Sequence, residues 1–510
     1  MKGKSLIAVI GAVAVINLGS RFIGFLREVI IGYQFGTSYV ADSVVTAYTL
    51  PNFFYVVVGG AITTAFISIY SKMGHPLERE YFLQTVFSWL TVGLVGFTVL
   101  LMVFSEQVIS LIFRGLTGDE LALTSELFVI MAPSTFFLVL SMWLTGILNV
   151  NEKFKMATAS TFVMNASFVV LVVILYPFIG AYGHAYGAII SAFIMVVMLV
   201  YLVRKGNFLR FRFSFKSNKE MTKLLRLGLP ILLGGATLQL YFLIHRVFAS
   251  ELEDGMIAAL NYSSKIVQLP QSVLMTAVTT VVYPLLAKKV AANEHADIAG
   301  LYQKGLRMLV LTIIPATIFS LFFAEEIFIA VFEYGQFNRE STLIAAPLFQ
   351  LLVFAMFAHS ANLYVTRFFY AREKSVLPVT LSVISVLGIN VILNIVLMER
   401  FGALGLAAAT SISALCNFLF LVIAAKFVLQ LKMFKRGSGK STLSLMVLFG
   451  GLALALFGVK VLMPIEFPIL TLSVGLVVTI IVFAGLARIL KLPEIEQLQS
   501  VVRRKLLKRG

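Results

Sequence analysis

The sequence predicts an all-α polytopic membrane protein of about fourteen transmembrane helices, and three observations carry that prediction. Of the 510 residues, 59% are hydrophobic and 13% charged, about half the charged share of an ordinary soluble domain. The mean hydropathy is +0.96. The apolar residues come in runs of about 20, the length of helix that crosses the hydrocarbon core. Membrane β-barrels, with short strands of alternating polarity, are excluded by the same runs.

Taken in chain order, the candidate spans are 5–26, 43–70, 82–104, 127–149, 156–178, 183–203, 227–249, 256–286, 308–323, 342–370, 376–398, 402–425, 441–463 and 468–487. Those at 43–70, 256–286 and 342–370 are long enough to tilt or kink. The first is basic, then apolar, and runs into Ser20–Arg21 without a small-residue cleavage pattern, so it reads as a retained span. With the N-terminus inside, the inner segments collect most of the 41 Lys and Arg, and the outer ones most of the 24 acids. The positive-inside rule therefore sets both termini in the cytoplasm. It also accounts for the net charge of +17 without nucleic acid: the basic stretch 204–226 is a topology signal facing anionic lipid. The single cysteine, Cys416, excludes a disulfide framework or a Cys-based metal site within the chain.

An internal repeat organises the chain. Residues 179–191 read IGAYGHAYGAIIS and 401–413 read FGALGLAAATSIS, with small residues in register; Asn151-Glu152-Lys153 likewise matches Arg372-Glu373-Lys374. The expected organisation is a first six-span lobe (1–203), a basic linker (204–226) and a second six-span lobe (227–425). A cytoplasmic loop (426–440), a final pair of spans (441–490) and a basic tail (491–510) follow. Two parallel lobes around a central site are a transporter architecture.

Charges inside spans are functional candidates by default. Arg21 lies deep in the first span, next to Ser20, and Arg27 and Glu28 lie at its outer end; spacings of three and four put Arg21, Gly24 and Glu28 on one helical face. Arg246 comes late in the seventh span beside His245. Lys265 lies in the outer half of the eighth, among Asn261, Ser263, Ser264 and Gln268. Pro51 and Pro270 are expected to break the second and eighth spans at matching places. The buried charges are cationic, whereas Glu28 and Asp42 are the only acids close to a span interior. A cavity lined by arginines suits an anion with several oxygens, because the guanidinium fork donates paired hydrogen bonds to phosphate. Arg367, next to the basic Arg372-Glu373-Lys374, reads as a snorkelling side chain. The GSGKST run (437–442) lacks the first glycine of a P-loop, its place being taken by Phe434, and runs into an apolar span, so nucleotide binding is not expected. No hydrolase or metalloenzyme motif is present in the sequence.

The run SRFIGFLREVIIGYQFG (20–36) followed by ADSVVTAYTLPNFF (41–54) resembles the opening of the MurJ/MviN family of bacterial lipid II flippases, in the MOP exporter superfamily. NYSSKIVQLPQSVL (261–274), YPLLAKK (283–289) and FEYGQF (332–337) extend the likeness into the second lobe. The resemblance implies two lobes around a cationic cavity, with the last two spans forming a groove for a polyprenyl tail. It implies a transporter of the bacterial plasma membrane rather than an enzyme, no cofactor or metal, and coupling to the membrane potential or an ion. Its cargo would be an undecaprenyl-pyrophosphate-linked saccharide, lipid II first, taken among membrane lipids with no nucleotide or nucleic acid. Family arginines on the pyrophosphate match Arg21 and Arg27, and a third matches Lys265; Arg246 joins them by position. Asp42 and Asn52 match polar family positions, Glu28 stands where many members have Asp, and Gln268 replaces an acidic family position; with Ser20 and Ser264 these are the expected supporting polar groups of the cavity. Many members carry arginine just after the LPN motif, where this chain has Tyr55 and Val56. That difference leaves a flippase for another lipid-linked glycan open, and a cation-coupled drug exporter behind it.

Overall fold

A computed structural model describes residues 3–216, 219–291, 294–433, 439–463 and 467–492. The first helices are α1 (Gly3–Phe35), α2 (Tyr39–Phe54), a π-helical turn (Tyr55–Gly59), α3 (Gly60–Tyr70), α4 (Pro76–Val103), α5 (Ser105–Ile112), α6 (Gly118–Val150), α7 (Phe154–Ile179) and α8 (Tyr182–Lys205). They are followed by α9 (Lys219–Ala249), α10 (Met256–Ala291), α11 (His295–Phe322), α12 (Ala324–Val331), α13 (Arg339–Ala371) and α14 (Val376–Val383). A second π turn (Ile384–Asn390), α15 (Val391–Val428), α16 (Gly439–Leu462) and α17 (Pro468–Ile489) complete the order. Each of the candidate spans falls on helix, and ten helical stretches among the described residues are long and apolar enough to cross a membrane. Residues 434–438 of the loop expected in the cytoplasm, with the first part of the GSGKST run, lie outside the described residues, as does the basic tail from 493.

The prolines act differently from expectation. After Pro51 the helix passes into the π turn, whereas α10 continues through Pro270 without interruption. A proline inside a span frees one carbonyl, which local adjustment and neighbouring helices can satisfy.

The chain packs as two units, Met1–Tyr262 and Ser263–Gly510, dividing within α10. In the first unit α7 and α8 form a hairpin, α1 packs along α7, α2 along α6, and α9 along α3. Its core centres on Trp143, stacked at 6.2 Å on Phe87 and edge-on at 5.9 Å to Phe66. Gly146 allows α6 to approach α3, where a Cβ would stand 3.0 Å from Thr63. In the second unit α13 packs against α15 and α11, while α16 and α17 pair and rest on α11 and α12. Gly475 admits the Phe323 ring, which a Cβ would meet at 2.7 Å. Arg372 and Lys374 donate to the carbonyls of Leu429 and Val428, satisfying the C-terminal end of α15.

The repeat is written in the backbone. Gly180 (φ 55°, ψ −129°) and Gly402 (φ 54°, ψ −133°) share one unusual conformation, 222 residues apart in both sequence and repeat register. Glu152 and Glu373 both have φ of 58°. The Lys153 amide donates to Leu148 and the Lys374 amide to Phe369, each at 2.9 Å. The short helices α5 and α12, eight residues each, follow the bends at Phe104 and Phe323.

Candidate anion chamber

In the first unit, α1 presents Ser20, Gly24 and Glu28 at intervals of four, one stripe of a helix. The stripe is seated on α7. Asn165 donates to the Ser20 hydroxyl at 3.0 Å and to its carbonyl at 3.1 Å. A Cβ on Gly24 would touch the same Asn165 at 3.6 Å. Glu28 is thereby fixed inside the bundle, 2% exposed.

Around Glu28 runs a chain of hydrogen bonds drawn from four helices. Arg27 donates to Oε1 of Glu28 through Nη2 at 2.6 Å and Nε at 3.2 Å. Asn261 donates to Oε2 at 2.7 Å and accepts from Nη2 of Arg246 at 2.7 Å. The other fork nitrogen of Arg246 donates to the Thr49 hydroxyl at 2.7 Å, and Thr49 donates to the Val45 carbonyl. The Arg27 guanidinium lies 4.7 Å from the Tyr48 ring centre and 5.6 Å from that of Phe168, contacts that favour a desolvated cation. Arg27, Glu28, Tyr48, Phe168, Arg246 and Asn261 line a chamber of about 320 Å³, open space at its mouth included, with Val44, Val45, Met131 and His184 among its walls. His184 is fully buried, its Nε2 2.6 Å from the side-chain amide oxygen Oε1 of Gln34. Two guanidinium groups against one carboxylate leave the chamber a net cation in an apolar surround, where attraction for an anion is strongest.

The other candidates are placed as follows. Arg21 is on the exposed side of α1 and is not among the chamber's lining residues; the buried stripe is its neighbour's, Ser20. Asp42 is 2% exposed and serves as a helix cap. Its Oδ2 and Oδ1 accept from the amides of Gly255 and Ala258, both at 2.6 Å, at the start of α10. Asn52 is half-buried just past Pro51. Ser264, Lys265 and Gln268 are half-buried on α10 in the second unit. Tyr48, Thr49 and His184 had no signal in the sequence, being ordinary polar residues in apolar helices. Asn261 was visible only as a polar neighbour of Lys265. Among the described residues no cluster of His, Cys, Asp and Glu could hold a metal ion.

Comparison with known proteins gives a consistent picture. A relative from Rhizobium meliloti (strain 1021), described as a probable lipid II flippase MurJ, is 28% identical over 434 residues, 82% of this chain and 80% of its own. A solved lipid II flippase MurJ in an inward closed conformation superposes with a TM-score of 0.83 at 23% identity, covering 94% of this chain and 99% of that one. An inward-facing multidrug resistance MATE family transporter of the MOP superfamily follows at a TM-score of 0.68 and 14% identity, covering 82% and 99%. The family model described as lipid II flippase MurJ matches residues 31–483, so this chain belongs to the MurJ lipid II flippase family.

Proposed function

We propose that this protein moves lipid II across the membrane, and that the pyrophosphate of the cargo is held by Arg27 and Arg246. The observation that carries the reading is how Arg246 is held. Its fork rests on the neutral oxygens of Asn261 and Thr49, while the one nearby carboxylate is engaged by Arg27 and Asn261. A buried guanidinium satisfied by neutral acceptors keeps its charge unspent and its two parallel donors suited to a phosphate. An entering pyrophosphate would exchange those acceptors for its own oxygens. Thr49 and Asn261 would be released from Arg246, and with them the hydrogen bonds that tie α9 to α2 and to α10. Cargo binding thus loosens a junction, which is what a carrier that changes its open side requires. The enclosed part of the chamber is small, so the saccharide must occupy space beyond it. Lys265, Arg21 and the polar groups Ser264, Gln268 and Asn52 are the further contacts of the proposal. Outward movement of the anionic headgroup would gain about 2.3 kcal/mol per charge per 100 mV of inside-negative potential.

The test is replacement of the native flippase in a lipid II flippase-depleted strain, combined with an assay of lipid II reaching the outer leaflet. Arg246→Lys keeps the charge and loses the fork; we expect externalisation to fall by about tenfold, one hydrogen bond to a charged group. Arg246→Lys with unchanged externalisation would refute the site. Failure of the unaltered protein to support growth would point to a second reading, a flippase for another polyprenyl-pyrophosphate glycan. Tyr55 and Val56, uncharged at positions after the LPN motif, favour that alternative. Mass spectrometry of co-purified lipid separates the two.

A further inference from the structure

The segment after α8 does something the transport reading leaves unused. Helix α8 stops at Lys205 through a tight turn in which Asn207 has φ of 53° and the Phe208 amide donates to Val203. Gly206 is required there, since a Cβ would lie 2.2 Å from the Phe208 ring. The chain then runs without helix from 208 to 216. Along it, Phe211, Phe213 and Phe215 alternate with Arg210, Arg212 and Lys216, the period that sends successive side chains to opposite sides of an extended backbone.

One side of this strap meets α4. Phe211 and Phe213 pack on Phe87 at 5.3 and 5.4 Å, and Phe215 meets Trp89 edge-on at 5.5 Å. The Ser214 amide donates to the buried Ser88 hydroxyl at 2.7 Å, which itself donates to the Gln84 carbonyl. An extended segment needs such a partner where water is scarce. Even so, Phe213 stays 62% exposed and Phe215 51%, beside exposed Trp89 and Tyr81. The cations are braced by rings: Arg204 lies 5.2 Å from Phe211 and Lys216 lies 6.0 Å from Tyr81. Glu80, 3.7 Å from Arg210, is the one acid ion-paired to the strap among the described residues.

We propose that 208–216 is a binding strap for anionic phospholipid, its phenylalanines seated among acyl chains and Arg210, Arg212 and Lys216 on headgroup phosphates. Rings on one side of the strap and mostly cations on the other, with Ser214 among them, fit the boundary between hydrocarbon and headgroups, where aromatic side chains and basic residues each find their preferred depth. Because the pattern is built into a fixed backbone, it should do more than an equal number of loose charges.

The experiment uses the full-length protein in detergent, with native mass spectrometry counting retained dioleoylphosphatidylglycerol against dioleoylphosphatidylcholine. Unaltered protein should retain the anionic lipid preferentially. Arg210→Gln/Arg212→Gln, at exposed positions, should lower that preference by about fivefold per charge removed. The composition-preserving exchange Arg212→Phe/Phe213→Arg keeps every charge and breaks the alternation, and should lower it comparably. Equal retention of the two lipids by the unaltered protein would overturn the proposal. So would an exchange variant, melting as the parent does, that retains the anionic lipid as the parent does, since charge number alone would then explain binding.

Discussion

The two units share backbone devices and bury different chemistry. In the first, the buried polar groups include charges: Glu28 between Arg27 and Arg246, and Asp42 on a helix terminus. In the second, Glu326 is buried and ion-paired to Lys460 of α16, while the joints of α13, α14 and α15 are held by neutral groups. Asn394 donates to Asn390, Asn390 to Ser413, and Asn417 to Ser382; Asn362 donates to the Ala414 carbonyl, and Ser411 to that of Leu351. Amides and hydroxyls of this kind join helices at modest gain each. Charges are far more expensive to bury and are retained where something charged must be met. Duplicating a backbone plan therefore did not duplicate a site: the bends at Gly180 and Gly402 match, whereas the cations at Arg27 and Arg246 are confined to the first unit's chamber.

The contrast breaks most severely at Glu28. Glu28→Ala leaves two guanidinium groups facing each other across an apolar chamber with no carboxylate. Removing one partner of a buried ion pair costs about 3–5 kcal/mol. A large drop in detergent melting temperature is expected, and Glu28→Gln, which keeps the bond from Asn261, should fall between it and the parent. Equal melting of Glu28→Ala and the parent would mean the chamber is wet enough to screen its cations.

A gentler test addresses the shared plan. Gly180 and Gly402 have open space where a Cβ would go, so only backbone strain opposes a side chain at either. Gly180→Ala and Gly402→Ala should each cost about 1–3 kcal/mol, and by similar amounts, because their dihedral angles agree to within a few degrees. A clear difference in melting between them would separate the two halves of the repeat energetically.

These same residues show which parts of the molecule were legible in sequence. The spans were, since a run of about 20 apolar residues permits little else. Gly180 and Gly402 stand in the sequence as matched small residues of the repeat. Arg27 and Arg246 stood out as charges in apolar runs. What sequence concealed was adjacency. Asp42 read as a cavity group, yet it caps α10, a role that spacing along α2 does not reveal. Arg21 was grouped with Glu28 by helical periodicity, but the stripe that turns inward is Ser20–Gly24–Glu28, fixed by Asn165 of α7. Thr49 and His184 carry no mark at all, because a threonine in a span meets a guanidinium, and a histidine becomes a chamber wall, only through neighbours.

The smallest expected effect is in the second unit. Ser413 accepts from Asn390 at 3.2 Å and donates to the Thr410 carbonyl at 3.1 Å, and it is fully buried. Ser413→Ala removes one neutral hydrogen bond to a side chain, a loss of about 1 kcal/mol. Helix joints are not cargo contacts in this reading, so lipid II externalisation should stay at the parent's level while melting falls slightly. The matching loss in the first unit, Thr49→Ala, removes a bond of the same type but to the Arg246 guanidinium, and should lower externalisation as well as stability. If Ser413→Ala impaired externalisation as strongly as Thr49→Ala at equal folded yield, the neutral network of α13 to α15 would have to take part in transport, and the division of labour between it and the charged chamber would fail.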